Sequence, residues 1–294
     1  MCASCYCAVT KQKLISNIQA KTNPKLQQHL MQLIDSHSHI DFDDFNTDRN
    51  EAIQRARSDG VSHIVVSSTV ANRWQNVKQV CDDNALVCYP AYGLHPMFMS
   101  DHRLQRDDSD IERLKNWLED NHAIAIGEIG LDFFIKEATP ENRQAQLQLY
   151  ISQLEIASDL NLPVIIHARK SLDIVLKHLR RFPNIRGSIH SFSGSEQQAK
   201  QLIDMGFFLG FGGPITYSRA TRLHQLVKRL PIESLLVETD SPDQSAAIHH
   251  ARRNEPAFIG QVVEKIAELK DLDAKVVATQ TSKNASDLFN FSRM

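Results

Sequence analysis

The 294-residue chain has no apolar run approaching the ~20 residues that a membrane helix needs, which excludes a bilayer-spanning helical protein. It also lacks an excess of positive charge. Lys and Arg number 33 against 35 Asp and Glu, a formal net charge of −2. That balance excludes a cationic coat for gripping long duplex nucleic acid, but it leaves room for a small site handling one or two phosphates. Cysteine is scarce and odd in number: Cys2, Cys5, Cys7, Cys81 and Cys88. Such a set does not make a disulfide framework, so the expected compartment is the reducing cytoplasm. The first three could bind a metal, yet no His or Cys pair follows them at finger-like spacing. No segment is rich in Pro, Gly or Ser as a linker would be, and 42% hydrophobic with 23% charged residues is the composition of an ordinary globular chain.

Residues 1–31 stand apart from the rest. They carry no secretory pattern, since the cysteines precede the basic residues, and no strong period. The expectation is a poorly ordered or weakly helical extension, followed by one catalytic domain over residues 32–294. From Leu33 onward, short β-branched runs alternate with longer amphipathic segments. Strands are predicted at Leu33–His37, Ser62–Ser68, Val87–Tyr92, Ala123–Glu128, Val164–His167, Gly187–His190, Phe207–Gly212 and Leu235–Glu238. Helices are predicted between them and, near Glu255–Lys270 and Asp273–Leu288, after them. Thr139-Pro140-Glu141 and Ser195-Glu196 mark helix starts, while Gly60 and Gly206 mark left-handed stops. Eight strand–helix units over roughly 260 residues predict a (β/α)8 TIM barrel, with an open doubly wound sheet as the competitor.

The chemistry-bearing residues fall where predicted strands end. A parallel barrel brings those ends to one mouth, and buried charges gathered there are costly unless a cation pairs with them. His37 and His39, spaced i, i+2, share one face of an extended segment and can chelate one ion. Glu128 ends an apolar run between Gly127 and Gly130, glycines expected to leave room for ligands, and its two oxygens can bridge two cations. His167 and His190 end adjacent strands and can supply nitrogens to a second ion. Asp240 ends the eighth strand, beside the first, where it can ligate and also accept a proton from water. Glu238 is expected to point inward lower down, as an ion-pair or hydrogen-bonding partner of the centre. His95 and Arg169 are candidate substrate-binding groups, Arg169 through a bidentate fork suited to phosphate.

These segments, in order, resemble the TatD family of metal-dependent deoxyribonucleases within the amidohydrolase-like barrels. The resemblance is carried by Leu33-Ile34-Asp35-Ser36-His37-Ser38-His39-Ile40-Asp41, Gly93-Leu94-His95-Pro96, Gly127-Glu128-Ile129-Gly130-Leu131-Asp132 and His167-Ala168-Arg169. It continues through His190-Ser191-Phe192-Ser193-Gly194, Glu238-Thr239-Asp240-Ser241-Pro242 and Arg253-Asn254-Glu255-Pro256. It implies that His37, His39, Glu128, His167, His190 and Asp240 are divalent-metal ligands, with Glu128 bridging. The expected cofactor is two divalent ions per chain, zinc, magnesium or manganese. The expected substrate is DNA, at ends or in short single strands, with no membrane and no obligate protein partner, and a monomer by default. Phe133-Phe134 stands where the family often has tyrosine, and Ser171 where Thr or Ala is common. Related amidohydrolases bridge their ions with a carboxylated lysine on the fourth strand, where this chain has glutamate. The alternative activity at the same site is hydrolysis of an amide, lactone or ester, because activated water attacks carbonyl and phosphoryl centres alike.

Overall fold

A computed structural model describes residues 32–104 and 108–291. The expectations for Cys2, Cys5, Cys7 and the 1–31 extension lie outside these residues. Eight parallel strands run in sequential order: β1 (Leu33–Ser38), β2 (Val61–Ser67), β3 (Cys88–Tyr92), β4 (Ala125–Asp132), β5 (Val164–Arg169), β6 (Gly187–Ile189), β7 (Phe207–Phe211) and β8 (Leu235–Val237). Helices α1 (Arg49–Ser58), α2 (Trp74–Asp83), α3 (Asp110–Asp120), α4 (Pro140–Leu160), α5 (Leu172–Leu179), α6 (Glu196–Asp204) and α7 (Thr221–Arg229) connect them in turn. Two more, α8 (Ile259–Lys270) and α9 (Ala274–Phe289), follow β8. The seam between first and last strands closes by Asp240 N–H to His37 O (3.0 Å) and His39 N–H to Ser241 O (2.8 Å). The closed barrel, rather than the open sheet, is therefore the architecture.

Sequence signals act where they were read. Thr139 caps α4 by accepting from Asn142 N–H, with Pro140 at the first helical position. Ser195 and Gln198 make a reciprocal capping box on α6. Gly60 and Gly206 adopt positive φ (91° and 81°), stopping α1 and α6 just before a strand.

Side-chain alternation explains why one barrel has two interiors. One set of strand positions faces the helices and joins the main core, including Leu33, Ile64, Val66, Ile126, Val164, Ile166 and Val237. The other set makes a second apolar cluster of Ile34, Val65, Ala91, Ala125, Ile165 and Leu236, closed off by Leu288 and Phe289 of α9. Two residues further along the same inward parity come His167 after Ile165, and Glu238 after Leu236. The barrel axis thus changes from apolar to ionisable over one pleat repeat.

Four strand ends differ from expectation in ways that move a site residue; β5 runs to Arg169, so His167 is two residues short of its end. β4 runs four residues beyond Glu128, because Gly130, Leu131 and Asp132 keep pairing with His167, Ala168 and Arg169 after a register irregularity between Ile126 and Ile129. Glu128 is therefore mid-strand. Conversely, β6 and β8 stop before His190 and Glu238, and Ser191 and Asp240 turn into the left-handed region (φ 45° and 55°). Those side chains are delivered by turns rather than by the ladder. The glycines flanking Glu128 also have another purpose. A Cβ on Gly130 (φ +132°) would lie 2.0 Å from His167 O, and one on Gly127 would lie 2.8 Å from Ile165 Cβ. They let β4 and β5 approach closely; they do not clear room for a ligand.

Candidate metal centre

Six of the predicted site residues converge at the barrel mouth, largely buried, with His167 and Asp240 the most exposed. Around Glu128 Oε2 stand His37 Nε2 (3.2 Å) and His39 Nε2 (3.3 Å), themselves 3.1 Å apart. Asp240 Oδ1 completes this group at 3.3 Å from His37 Nε2 and 3.5 Å from His39 Nε2. Around Glu128 Oε1 stand His190 Nε2 (2.9 Å) and His167 Nδ1 (3.1 Å), again 3.1 Å from each other. A cation bonded at about 2.0–2.1 Å, with ligand angles between octahedral and tetrahedral, sets its donors about 2.9–3.4 Å apart. The observed spacings, 2.9–3.5 Å, match that range except for the slightly longer His39–Asp240 pair.

Proton bookkeeping leads to the same fit. His39 Nδ1 faces the carbonyl oxygen of Ser67 (2.8 Å), which can only accept, so Nδ1 carries the proton and neutral His39 offers a lone pair at Nε2. His167 Nε2 donates to Asp132 Oδ2 (3.0 Å), leaving the lone pair at Nδ1. Both lone pairs point at the Glu128 carboxylate. Lone pair against carboxylate repels unless a proton or a cation lies between, and the donor set of four imidazoles and two carboxylates suits a divalent ion.

The electrostatics of these side chains report the same competition. Burial by itself opposes charge on His39 and His190. Their contacts with Glu128 and Asp240 outweigh it and hold both well above the usual histidine range. Burial would raise Glu128, but the surrounding imidazoles His95, His190 and His37 hold it well below the usual carboxylate range. Asp240 behaves likewise, its burial overcome by His37 and His39.

His95 is near enough to join the second group, at 2.9 Å from Glu128 Oε1, yet its proton is on the other side. Its Nδ1 accepts from Met97 N–H (3.1 Å), so Nε2 carries hydrogen and donates to Glu128. Burial pushes its pKa down to about 4, consistent with a neutral ring. Arg169, the other predicted substrate group, reaches the rim with its guanidinium 4.2 Å over the Phe134 ring. Glu238 accepts Ser191 N–H (2.5 Å) and sits 3.7 Å from His190 Nδ1, holding the turn that presents His190.

Four supporting residues escaped sequence reasoning. Ser67 braces two ligand candidates at once, through its carbonyl to His39 and its Oγ to His37 Nδ1 (3.0 Å). Asp132 turns one oxygen to His167 and the other to the backbone N–H groups of Phe134 (2.8 Å) and Ile135 (3.3 Å). Asp35 accepts from Thr239 N–H (2.9 Å) and Thr239 Oγ1 (2.6 Å), tying β1 to the turn that carries Asp240. Gln244 donates Nε2 to Asp240 Oδ2 and accepts from Ser191 Oγ (2.8 Å). For Asp132 the only visible signal is its place in the Gly127–Asp132 segment. Asp35 likewise stands in the opening Leu33–Asp41 segment, whereas Ser67 and Gln244 are ordinary polar residues in sequence.

The mouth opens into a cavity of about 600 Å³ whose walls include Phe42, Phe98, Phe192 and Phe211 above the ionisable floor. A second cavity, about 540 Å³, lies at the opposite end of the barrel, lined among others by His122, Asn161, Arg186 and Phe289. Among the described residues no cluster of potential metal ligands converges there.

Residues 34–290 match the family model described as TatD related DNase. The chain belongs to the TatD family. Similar members include an uncharacterized metal-dependent hydrolase, YjjV, of Escherichia coli K12, 36% identical over 264 residues, 89% of this chain and 99% of that one. Another, YabD of Bacillus subtilis, is 31% identical over 262 residues, 88% of this chain and 100% of the relative. The crystal structure of the TatD homolog YjjV superposes with a TM-score of 0.81 at 35% identity, covering 88% of this chain and 98% of that one. This TatD-family chain is accordingly a metal-dependent hydrolase. No helix among its described residues is long and apolar enough to cross a membrane.

Proposed function

We propose that the chain is a nuclease hydrolysing DNA phosphodiester bonds, at ends or in short single strands, at a centre for two divalent cations. His37, His39, Glu128, His167, His190 and Asp240 would hold them. The observation that carries this reading is Glu128, whose two oxygens face two separate pairs of imidazole nitrogens. When bound, divalent ions there would polarise a phosphoryl oxygen and make water more acidic. The remaining steps belong to the chain. Asp240 has one oxygen in the donor group and the other, Oδ2, beside the Gln244 amide, so Oδ2 is the atom that accepts the proton of the attacking water. His95, as donor to Glu128 Oε1, acts as a positioning residue that fixes the orientation of the bridging carboxylate.

Arg169 supplies two parallel N–H groups for a phosphate oxygen pair, and the Phe134 ring below fixes the guanidinium plane. The aromatic walls of the cavity give bases and sugars apolar surface, which suits a single strand whose bases are unpaired. The buried, unpaired thiols of Cys81 and Cys88 suit a reducing cytoplasm, where we place its action.

The test is digestion of an end-labelled single-stranded oligonucleotide in parallel with a lactone and a cyclic amide, alongside elemental analysis of the purified protein. The expected result is oligonucleotide cleavage, lowered about 10²–10⁴-fold in kcat by Asp240→Asn while most of the metal is retained. Turnover of the lactone or the amide alone, or full activity in Asp240→Asn, refutes the proposal.

A further inference from the structure

Beside the mouth, on its β7–β8 side, lies a second hollow of about 450 Å³ that shares Pro214, Leu223 and Gln244 with the main cavity. Its outer part is made by Tyr217, Arg219 and His250, on the segments that follow β7 and β8. The Tyr217 hydroxyl lies 3.2 Å from both the Ser245 carbonyl oxygen and His250 Nδ1, and the His250 ring meets the Tyr217 ring edge-on at 6.0 Å. The tyrosine is thus pinned to the opposite loop. The Arg219 guanidinium lies 4.9 Å over its ring. Arg219 is exposed, and among the described residues its guanidinium meets neither a carboxylate nor a hydrogen-bond acceptor.

Two other arginines stacked on aromatic rings are committed to carboxylates. Arg73 pairs with Asp41 and Asp43, and Arg253 pairs with Asp48 and Glu255. Arg219 is seated over a ring yet has its fork open. A planar guanidinium oriented in this way is a phosphate receptor. Gln244 forms the shared wall, reaching Asp240 on one side and the hollow on the other, so a ligand in the hollow is continuous with one at the centre.

The geometry points to a second nucleotide subsite, in which Arg219 pairs with a phosphate one or more nucleotides beyond the scissile bond and Tyr217 holds the guanidinium in plane. This rests on the nuclease reading above and adds to it a direction for the strand: from the centre, over Gln244, towards β7–β8. The enzyme then selects single strands long enough to reach Arg219 over the shortest diesters.

Steady-state cleavage of a single-stranded dinucleotide and an octanucleotide, in magnesium across a salt series, tests it for wild type, Arg219→Ala and Arg219→Lys. Arg219→Ala should raise KM for the octanucleotide about tenfold, leaving its kcat and the dinucleotide KM in place. One lost phosphate contact on a single strand should also make the slope of log(1/KM) against log[salt] shallower by about 0.7. Arg219→Lys should restore the slope and only part of the affinity, since it keeps the charge but not the fork. Unchanged octanucleotide KM in Arg219→Ala, or an equal penalty on the dinucleotide, overturns the subsite while leaving the nuclease intact. If wild type cuts neither substrate, the nuclease reading has failed and takes the subsite with it.

Discussion

The Asp132→Asn substitution isolates what a supporting carboxylate does for a metal ligand. Asp132 Oδ2 accepts the His167 Nε2 proton at 3.0 Å, while Oδ1 accepts from Phe134 and Ile135 N–H. Burial would raise the Asp132 pKa, but these hydrogen bonds overcome it and the group is held below the usual carboxylate range. In the variant, the amide oxygen can keep capping the 133–135 turn, so the fold should lose less than about 1 kcal/mol, a Tm change under about 4 °C. The amide nitrogen then faces His167 Nε2. Donor against donor is unfavourable, and the imidazole relieves it by moving its proton to Nδ1, the atom aimed at Glu128. Nδ1 is thereby blocked. Loss of such a hydrogen-bond partner typically costs 10–100-fold in metal affinity, or about 1.4–2.7 kcal/mol. Titration with a competing chelator, alongside Tm measured on the chelated protein, separates binding from folding. Affinity equal to wild type would refute the tautomer argument, and so would a weakening that only follows a large loss of Tm.

Metal affinity should rise as pH climbs from the ordinary histidine value of 6.5 towards the raised ones, because a cation must displace protons held at His39 and His190. For the chelated protein, these raised histidines contribute stability fully below their ordinary value of 6.5 and lose it as pH climbs through the raised values. Glu128, held low, contributes above its ordinary value of 4.5 and loses it as pH falls through the lowered one. Apo stability followed by thermal melts should thus decline on raising pH above neutrality; a steady rise there contradicts the assignment. Gly130→Ala should cost at least about 3 kcal/mol in a urea melt, since the new Cβ meets His167 O at 2.0 Å with φ fixed at +132°. Near-neutral stability would mean that β4 and β5 can separate. Phe134→Ala should raise KM for an oligonucleotide about fivefold, with kcat little changed, by freeing the Arg169 guanidinium. An effect on kcat alone would show that Phe134 acts elsewhere.

The linear chain by itself determined the strand–helix alternation, the caps at Thr139 and Ser195 and the glycine stops, and it offered six candidate donors near strand ends, of which Glu128 and His167 lie within their strands and His190 and Asp240 on turns. Each is a local signal: a period, a cap or a residue type within a few positions. Tertiary structure alone decided which oxygen of Glu128 each histidine faces, where the His95 proton resides, and that Ser67, Asp35, Asp132 and Gln244 support the centre. Gly127 and Gly130 likewise looked like space for a ligand until β5 was seen pressed against them. Most of these facts depend on atoms separated by dozens to about two hundred residues meeting at hydrogen-bond distance. Hydrogen-bond direction and steric contact are properties of that meeting, and no pattern along the chain encodes them.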